Sequence, residues 1–127
     1  MGKYGETALR AADILDSGSC QDPAEAWERA AGEIFTASES LREKGCPKGA
    51  FLGLCSEGLI QDVKAGSYGR PGKNGKYAVD AVRVLSQNRF LCSQPKLLWK
   101  KVAGSAKTEN HQMEVVIALW EAGRICT

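Results

Sequence analysis

The sequence lacks any long hydrophobic run, and this absence bounds where the protein resides. The longest nearly uncharged apolar stretch covers only residues 49–60, whereas a membrane-spanning helix needs about 20 apolar residues. The chain also does not open with a charged segment followed by an apolar one, as a secretory signal would. We therefore expect a cytoplasmic protein without a membrane segment. Its 127 residues favour a single domain, residues 1–127, with a core that needs no disulfides or metals.

Closely spaced cysteine pairs are absent as well. The five cysteines, Cys20, Cys46, Cys55, Cys92 and Cys126, form no CxxC or CxxxC motif, and their number is odd. Together with the single histidine, this spacing argues against a disulfide framework and a structural zinc site. Free cysteines in apolar surroundings behave as small buried hydrophobic residues, which we expect of Cys46 and Cys55. Cys20 and Cys126 lie near polar or terminal segments and are the more reactive candidates.

The motifs of common catalytic sites are missing. A cysteine hydrolase would require His111 beside a cysteine and a carboxylate, an arrangement that the sequence permits but no motif supports. His111 falls at the first turn of the last predicted helix, where a surface or capping role is expected. Residues 66–76 are rich in glycine and lysine, but GxxxxGK[ST] is absent because Asn74 follows Gly72-Lys73. We therefore predict a solvated connector there, and no catalytic residue, cofactor or metal.

Acidic residues are scarce in the middle of the chain. Residues 64–107 contain ten basic residues and one acidic residue, Asp80, while residues 1–63 carry a net charge of −5 and residues 108–127 one of −2. The overall formal charge is only +2. Such a polarised distribution predicts an anionic partner or attraction between copies of the chain. Nine cations make up the predicted basic face: Lys64, Arg70, Lys73, Lys76, Arg83, Arg89, Lys96, Lys100 and Lys101.

Alternating apolar and polar residues, typical of half-buried strands, are also missing, and helical periodicity is present instead. Asp22 and Pro23 mark one helix start as N-cap and first residue, and Asn110 is expected to cap the last helix. Six helices with short connections predict an all-α orthogonal bundle. The predicted helices cover residues 6–16, 23–44, 47–57 and 76–86, together with one segment that begins at residue 95 and another that begins at residue 110. In the segment from residue 95, Leu97, Leu98 and Val102 are expected to face inward. Residues 61–75 are expected to be irregular.

Three glycines are predicted to end helices in the left-handed conformation that residues with side chains avoid. Gly45 would close the second helix and Gly58 the third. The segment 116–125 repeats the same pattern around Gly123. The third helix, residues 47–57, is apolar on most sides, which predicts a buried position at the centre of the bundle.

Three classes of function remain open, and we favour an interaction protein with a protein partner or a homodimer. Trp99 adjoins Lys100 and lies off the apolar line of its helix, so it is the predicted, partly exposed interface residue. The alternative is non-specific binding of nucleic acid through the basic face, with strong salt dependence. Sequence-specific DNA recognition is disfavoured because helix 47–57 lacks the Arg, Asn or Gln side chains that contact base edges. A small-molecule enzyme is the third class.

Two stretches of the chain resemble a known family. They are residues 49–60, GAFLGLCSEGLI, and residues 110–121, NHQMEVVIALWE. Together with the short segments 77–79 and 98–99, they are similar to a family of small helical bacterial proteins of unknown function, over roughly residues 23–125. The resemblance implies a helical fold and an association with the cargo of mobile gene cassettes. It supplies no activity and no catalytic residue.

Overall fold

Seven α-helices, one of them a single turn, and a short 3-10 helix make up the part of the protein that the computed structural model describes, residues 2–105 and 107–126. The all-α class is confirmed, and six of these helices have nine residues or more. Within the same residues, no helix is both long and apolar enough to cross a membrane. The elements are α1 (Lys3–Asp16), α2 (Pro23–Ile34), α3 (Glu39–Arg42), α4 (Gly45–Ser56), α5 (Gly72–Gln87), the 3-10 helix η1 (Arg89–Ser93), α6 (Pro95–Ala103) and α7 (Gln112–Glu121).

Helix α4 occupies the centre of the bundle, as its composition predicts. Every residue from Gly49 to Cys55 is buried, because α2, α5 and α7 all pack against this helix. The ring of Phe51 lies 5.4 Å from that of Trp27 on α2, measured between centroids. An apolar helix without a polar side can be accommodated only where neighbours cover it on all sides. These three helices are therefore arranged around α4, while α1 packs on α2 and α7, and α6 packs on α5 and α7.

Glycines allow α4 and α5 to approach until their backbones touch. Gly49 and Gly53 lie one turn apart on α4, against the start of α5. A Cβ atom on Gly53 would overlap the Cα of Gly75 in the first turn of α5. Because this crossing holds Gly75 in place, α5 begins at Gly72, and the expectation of an irregular segment through residue 75 is wrong. Glycine weakens an isolated helix, but this crossing requires residues without side chains.

The second helix is shorter than the sequence predicts. Phe35 follows α2 in a non-helical conformation, with its ring 4.7 Å from that of Tyr4. The Ser38 side chain then caps α3 by accepting a hydrogen bond from the Leu41 N–H, at 3.3 Å. Serine side chains offer the backbone such an alternative to continuing a helix. Gly45, predicted to close a long second helix, instead begins α4 without a left-handed backbone, so that prediction is wrong.

The helix ends predicted at Gly58 and Gly123 are confirmed. Both glycines have a φ of +71°, a conformation that costs a residue with a side chain about 1–2 kcal/mol. In each case the amide of the next residue donates a hydrogen bond to the carbonyl five residues earlier, at 2.9 Å. These bonds satisfy carbonyl groups that would otherwise lack a partner at the end of α4 or α7.

Directly after these two glycines, the two chain segments pair with each other. Ile60 and Ile125 form an isolated antiparallel bridge, flanked by backbone hydrogen bonds of 2.9 and 2.7 Å. Ile60 has only 1% of its surface exposed. The two segments that resemble each other in sequence are therefore also neighbours in the structure. Hydrogen bonds between main chains tie the end of α4 to the end of α7.

Candidate partner-binding surface

All nine cations of the predicted basic face are exposed to solvent. They come from four parts of the chain: the loop before α5, α5 itself, η1 and α6. The loop contributes Lys64 and Arg70, and η1 contributes Arg89. The other six are Lys73, Lys76 and Arg83 on α5, and Lys96, Lys100 and Lys101 on α6. What the sequence could not show is how these groups are distributed and which of them already have partners.

Asp80 neutralises part of this surface. Its carboxylate lies 2.7 Å from Lys76 Nζ and 3.3 Å from Arg83 Nη1. The same two cations border a cleft of about 300 Å³ between α4 and α5, which Ser56 and Glu57 also line. Because Glu57 adds a second carboxylate, the formal charges of the cleft cancel, and it attracts an anion weakly. The other seven cations have no carboxylate within 4.0 Å in the described chain.

Helix α5 lies between the cations of the loop and those of α6. The loop that carries Lys64 and Arg70 folds back over α4, where the Gly66 N–H donates a hydrogen bond to the Ser56 carbonyl at 3.1 Å. The lysines of α6 lie beyond α5, which packs against both α4 and α6. Lys64 and Arg70 therefore lie on a different part of the surface from the lysines of α6, so the nine cations do not form one continuous face.

The outward side of α6 holds the densest group. Lys96, Leu97, Lys100 and Lys101 are all exposed, and at about 100° per residue they span one arc of about 140°. We call these four residues the α6 outer face. Leu98, on the opposite side, has no exposed surface. Leu97 was expected to face inward beside Leu98, but it is 40% exposed, so that expectation is wrong.

Trp99 belongs to the core and not to the surface. Only 6% of it is exposed, and its indole N–H donates a hydrogen bond to the Lys107 carbonyl at 3.0 Å. Its ring meets the Tyr77 ring of α5 edge to face, with 4.9 Å between centroids. The expected partial exposure is wrong because adjacent residues of a helix point about 100° apart. Lys100 can thus be exposed while Trp99 fills the space between α5 and α6.

His111 lies in a network at the start of α1. Its Nδ1 is 3.0 Å from Glu114 Oε1, while Glu114 Oε2 accepts a hydrogen bond from the Gly5 N–H at 2.8 Å. The His111 ring lies 4.6 Å from that of Tyr4, and burial, followed by the Glu114 charge, raises the pKa of Tyr4. The partner of His111 is therefore a carboxylate that caps a neighbouring helix, and not a cysteine.

The cap of α7 differs from the expected one. Asn110 was expected to cap the helix, but Glu109 does so, since its Oε2 accepts a hydrogen bond from the Met113 N–H at 3.1 Å. The Asn110 amide lies instead 3.6 Å from Cys46 Sγ. Cys46 is only partly buried, in contrast to the burial that its neighbours predicted.

Glu114→Gln is expected to lower the free energy of unfolding by about 1 kcal/mol, because a charged acceptor at the N-terminus of α1 is lost. Glutamine keeps the size of the side chain, so the loss reports the charge. Urea titrations followed by circular dichroism measure the effect. Glu43→Gln, at an exposed position, is the control and should change stability by less than about 0.5 kcal/mol. Equal losses in the two variants would contradict the capping role.

The expected reactivity of Cys20 is not supported by its surroundings. The residue is 5% exposed, and its Sγ donates to Glu25 Oε2 at 2.8 Å. Burial, and then Glu25, raise the pKa of this thiol, which disfavours the reactive thiolate. Burial also raises the pKa of Cys55, whereas Cys126 is exposed. Among the described residues, no group of three His, Cys, Asp or Glu side chains could hold a metal ion.

Alkylation of the folded protein with iodoacetamide should therefore modify Cys126 first. We expect Cys20 and Cys55 to react at least about tenfold more slowly, since burial removes access and raises their pKa values. Mass spectrometry of peptides taken at successive times gives the rate at each cysteine. In urea, where the chain is unfolded, the rates should converge. If Cys20 reacted as fast as Cys126 in the folded protein, Cys20 would not be buried there.

Comparison with known proteins identifies the family without assigning an activity. The chain matches the model described as Family of unknown function (DUF6979) over residues 1–126, and it belongs to that family. No curated protein and no solved structure matches it. The match confirms the resemblance to a family of unknown function, while bacterial origin and carriage on gene cassettes stay predictions.

Proposed function

We propose that this protein is a non-enzymatic binding protein whose α6 outer face docks on an acidic protein partner. The observation that carries the proposal is the α6 outer face itself. Its three lysines and one leucine form a continuous, exposed arc, and no carboxylate of the described chain lies within 4.0 Å of the lysines. Like charges held close together repel one another. An acidic partner would relieve this repulsion.

Leu97 favours a protein over a nucleic acid as the partner. It is 40% exposed among the three lysines, and protein interfaces combine an apolar contact with a polar rim. Non-specific binding of nucleic acid depends instead on many cations along the phosphate backbone. Here α5 separates the loop cations from those of α6, and Asp80 occupies two more.

The surroundings of His111 support a role without catalysis. Both the histidine and Glu114 already have structural partners at the start of α1. A hydrolase would need a nucleophile beside the histidine, but the cysteine in this region, Cys46, lies against Asn110 instead. The proposal therefore assigns no catalytic role to these groups.

The experiment compares two charge reversals of equal size. Lys96, Lys100 and Lys101 are changed to Glu in one variant, and the loop and α5 cations Lys64, Arg70 and Lys73 in the other. Each protein is passed at about 50 mM salt, where electrostatic binding is strong, over immobilised poly-L-glutamate and over a mixed single-stranded RNA pool. We expect poly-L-glutamate to retain the wild-type protein and the loop variant, and to lose the α6 variant.

Two results would overturn the proposal. If RNA retained the wild-type protein to higher salt than poly-L-glutamate, the partner would be a nucleic acid. If poly-L-glutamate failed to retain either triple variant, net charge rather than the α6 outer face would explain the binding. Circular dichroism of both variants checks folding, which is expected to persist because all six changed positions are exposed.

A further inference from the structure

Phe90 lies on the surface with its backbone held by hydrogen bonds. Its side chain is 78% exposed, while the next residue, Leu91, is 3% exposed and anchors η1 in the core. The Asn88 side chain accepts a hydrogen bond from the Phe90 N–H at 3.3 Å, and the Ser93 hydroxyl donates to the Phe90 carbonyl at 2.9 Å. The backbone of Phe90 is therefore constrained from both sides. An exposed aromatic side chain on a constrained backbone is the kind of group that anchors protein interfaces.

An apolar groove lies on the surface of α7 beside η1. Its volume is about 370 Å³, and we call it the α7 groove. Glu109, Glu114 and Glu121 lie along it, so the apolar surface is accompanied by negative charge. The apolar residues that line the groove are Cys92, Pro95, Met113, Ile117 and Ala118, of which Met113 and Ala118 are themselves buried.

Phe90 and the α7 groove are neighbours on the molecule. Cys92, which lines the groove, follows Phe90 by two residues, so their Cα atoms are no more than about 8 Å apart. When a protruding group and the site that receives it are adjacent, two copies related by a twofold axis can satisfy both contacts at one interface. Had they lain on opposite sides, the same contact would have built a ring or an open chain of copies.

The charges around the two features are complementary. Arg89 is exposed beside Phe90 and has no carboxylate within 4.0 Å in the described chain. Along the groove, Glu109 caps α7 and Glu114 binds His111 and Gly5. Glu121 is exposed and makes no ion pair in the described chain. Arginine pairs with carboxylates through two parallel hydrogen bonds, which adds direction to the attraction.

We propose that this chain forms a twofold-symmetric homodimer in which Phe90 of each copy occupies the α7 groove of the other. Arg89 then faces Glu121 across the interface, twice. The proposal uses residues outside the α6 outer face and does not depend on the acidic partner. Since each copy supplies one aromatic anchor and one charged pair, we expect an interface at the small end of specific complexes, with a micromolar dissociation constant.

Sedimentation velocity from about 1 to about 300 µM spans the dissociation constants expected for such an interface. The wild-type protein should pass from monomer to dimer over this range, and Phe90→Ser should stay monomeric. Leu41→Ser is the matched control, because Leu41 is 44% exposed on α3, and it should dimerise as the wild type does. Thermal unfolding confirms that the variants are folded. A monomeric wild type at every concentration, or a Phe90→Ser dimer of unchanged affinity, overturns the proposal.

A mixture of two charge reversals tests the geometry. Arg89→Glu alone and Glu121→Arg alone each place like charges across the proposed interface, which should weaken each homodimer at least tenfold. Mixed in equal amounts, the two variants should form a heterodimer, since both of its interfacial pairs again have opposite signs. The charge reversal at Glu121 should not destabilise α7, because a positive charge at the C-terminal end of a helix interacts favourably with the helix dipole. If the mixture stayed as monomeric as its components, Arg89 and Glu121 would not face each other and the proposed arrangement would be wrong.

Discussion

Gly53→Ala is expected to destabilise the protein by about 3 kcal/mol or more, because the new Cβ has no room. It would overlap the Cα of Gly75 and lie 2.8 Å from both the carbonyl carbon and oxygen of that residue. These are backbone atoms of α5, which cannot rotate away as the end of a flexible side chain can. The two helices would have to separate along their whole crossing. Urea unfolding followed by circular dichroism gives the free energy difference.

Gly32→Ala is the matched control for this change. Gly32 lies in the last turn of α2, and a Cβ there would meet only Arg42 Cδ, at 4.0 Å. Alanine favours a helix over glycine by about 1 kcal/mol, so this variant should be slightly more stable than the wild type. Equal destabilisation by the two substitutions would mean that the backbones of α4 and α5 do not touch at Gly53.

Trp27→Ala is expected to cost about 4 kcal/mol, because it removes a large side chain from the centre of the protein and leaves a cavity. Trp27 is 1% exposed and packs on Phe51 of α4, which has no exposed surface. The same denaturation measurement applies. Trp120→Ala is the comparison, since Trp120 is only partly buried and should lose less. A smaller loss at Trp27 than at Trp120 would contradict the central position of the Trp27–Phe51 pair.

Trp27→Phe removes only part of the side-chain volume and breaks no hydrogen bond. The Trp27 indole N–H is buried without a hydrogen-bond partner in the described chain, so phenylalanine removes an unsatisfied polar group. We expect this variant to lose less than about 2 kcal/mol. In Trp99→Phe, by contrast, the partly buried hydrogen bond to the Lys107 carbonyl is lost as well.

The features that the sequence predicted well are those decided by local chemistry. The segment of α4 has no polar side, so a central position was its only favourable one. Gly58 and Gly123 each follow an apolar helix and adopt a left-handed backbone that favours glycine. These requirements involve a few consecutive residues, and a single sequence displays them directly.

The features that the sequence did not predict depend on residues far apart in the chain. The glycines at the start of α5 favour an irregular loop until α4 presents Gly53 to them. The early end of α2 places Phe35 against Tyr4, a contact that helical periodicity cannot reveal. The serine cap at Ser38 was a local signal for this break, but the apolar periodicity of the same segment masked it.

The candidate surface was predictable in composition and not in arrangement. Lysines of α6 were correctly expected to be exposed, because lysine side chains are almost never fully buried unless they are paired. Asp80 was visible as the only acidic residue within residues 64–107. Its two ion pairs, which follow from helical spacing on α5, were not predicted. Phe90 was missed altogether. A signal was available in its position, since it follows the polar residues 87–89 and falls outside both neighbouring helical patterns.

The bridge between Ile60 and Ile125 bears on how the chain acquires its structure during synthesis. The first helix rests on the last one, and the hydrogen bond between Gly5 and Glu114 spans 109 residues of sequence. The bridge cannot form before residue 125 has emerged from the ribosome, and the contacts of α1 with α7 cannot form before α7 has. Contacts between such distant segments form slowly, so α1 spends much of translation packed on α2 alone, without the cover that α7 later provides. Nascent chains of this protein should therefore be open to chaperones on that side of α1 until α7 appears, and close it only in a late step.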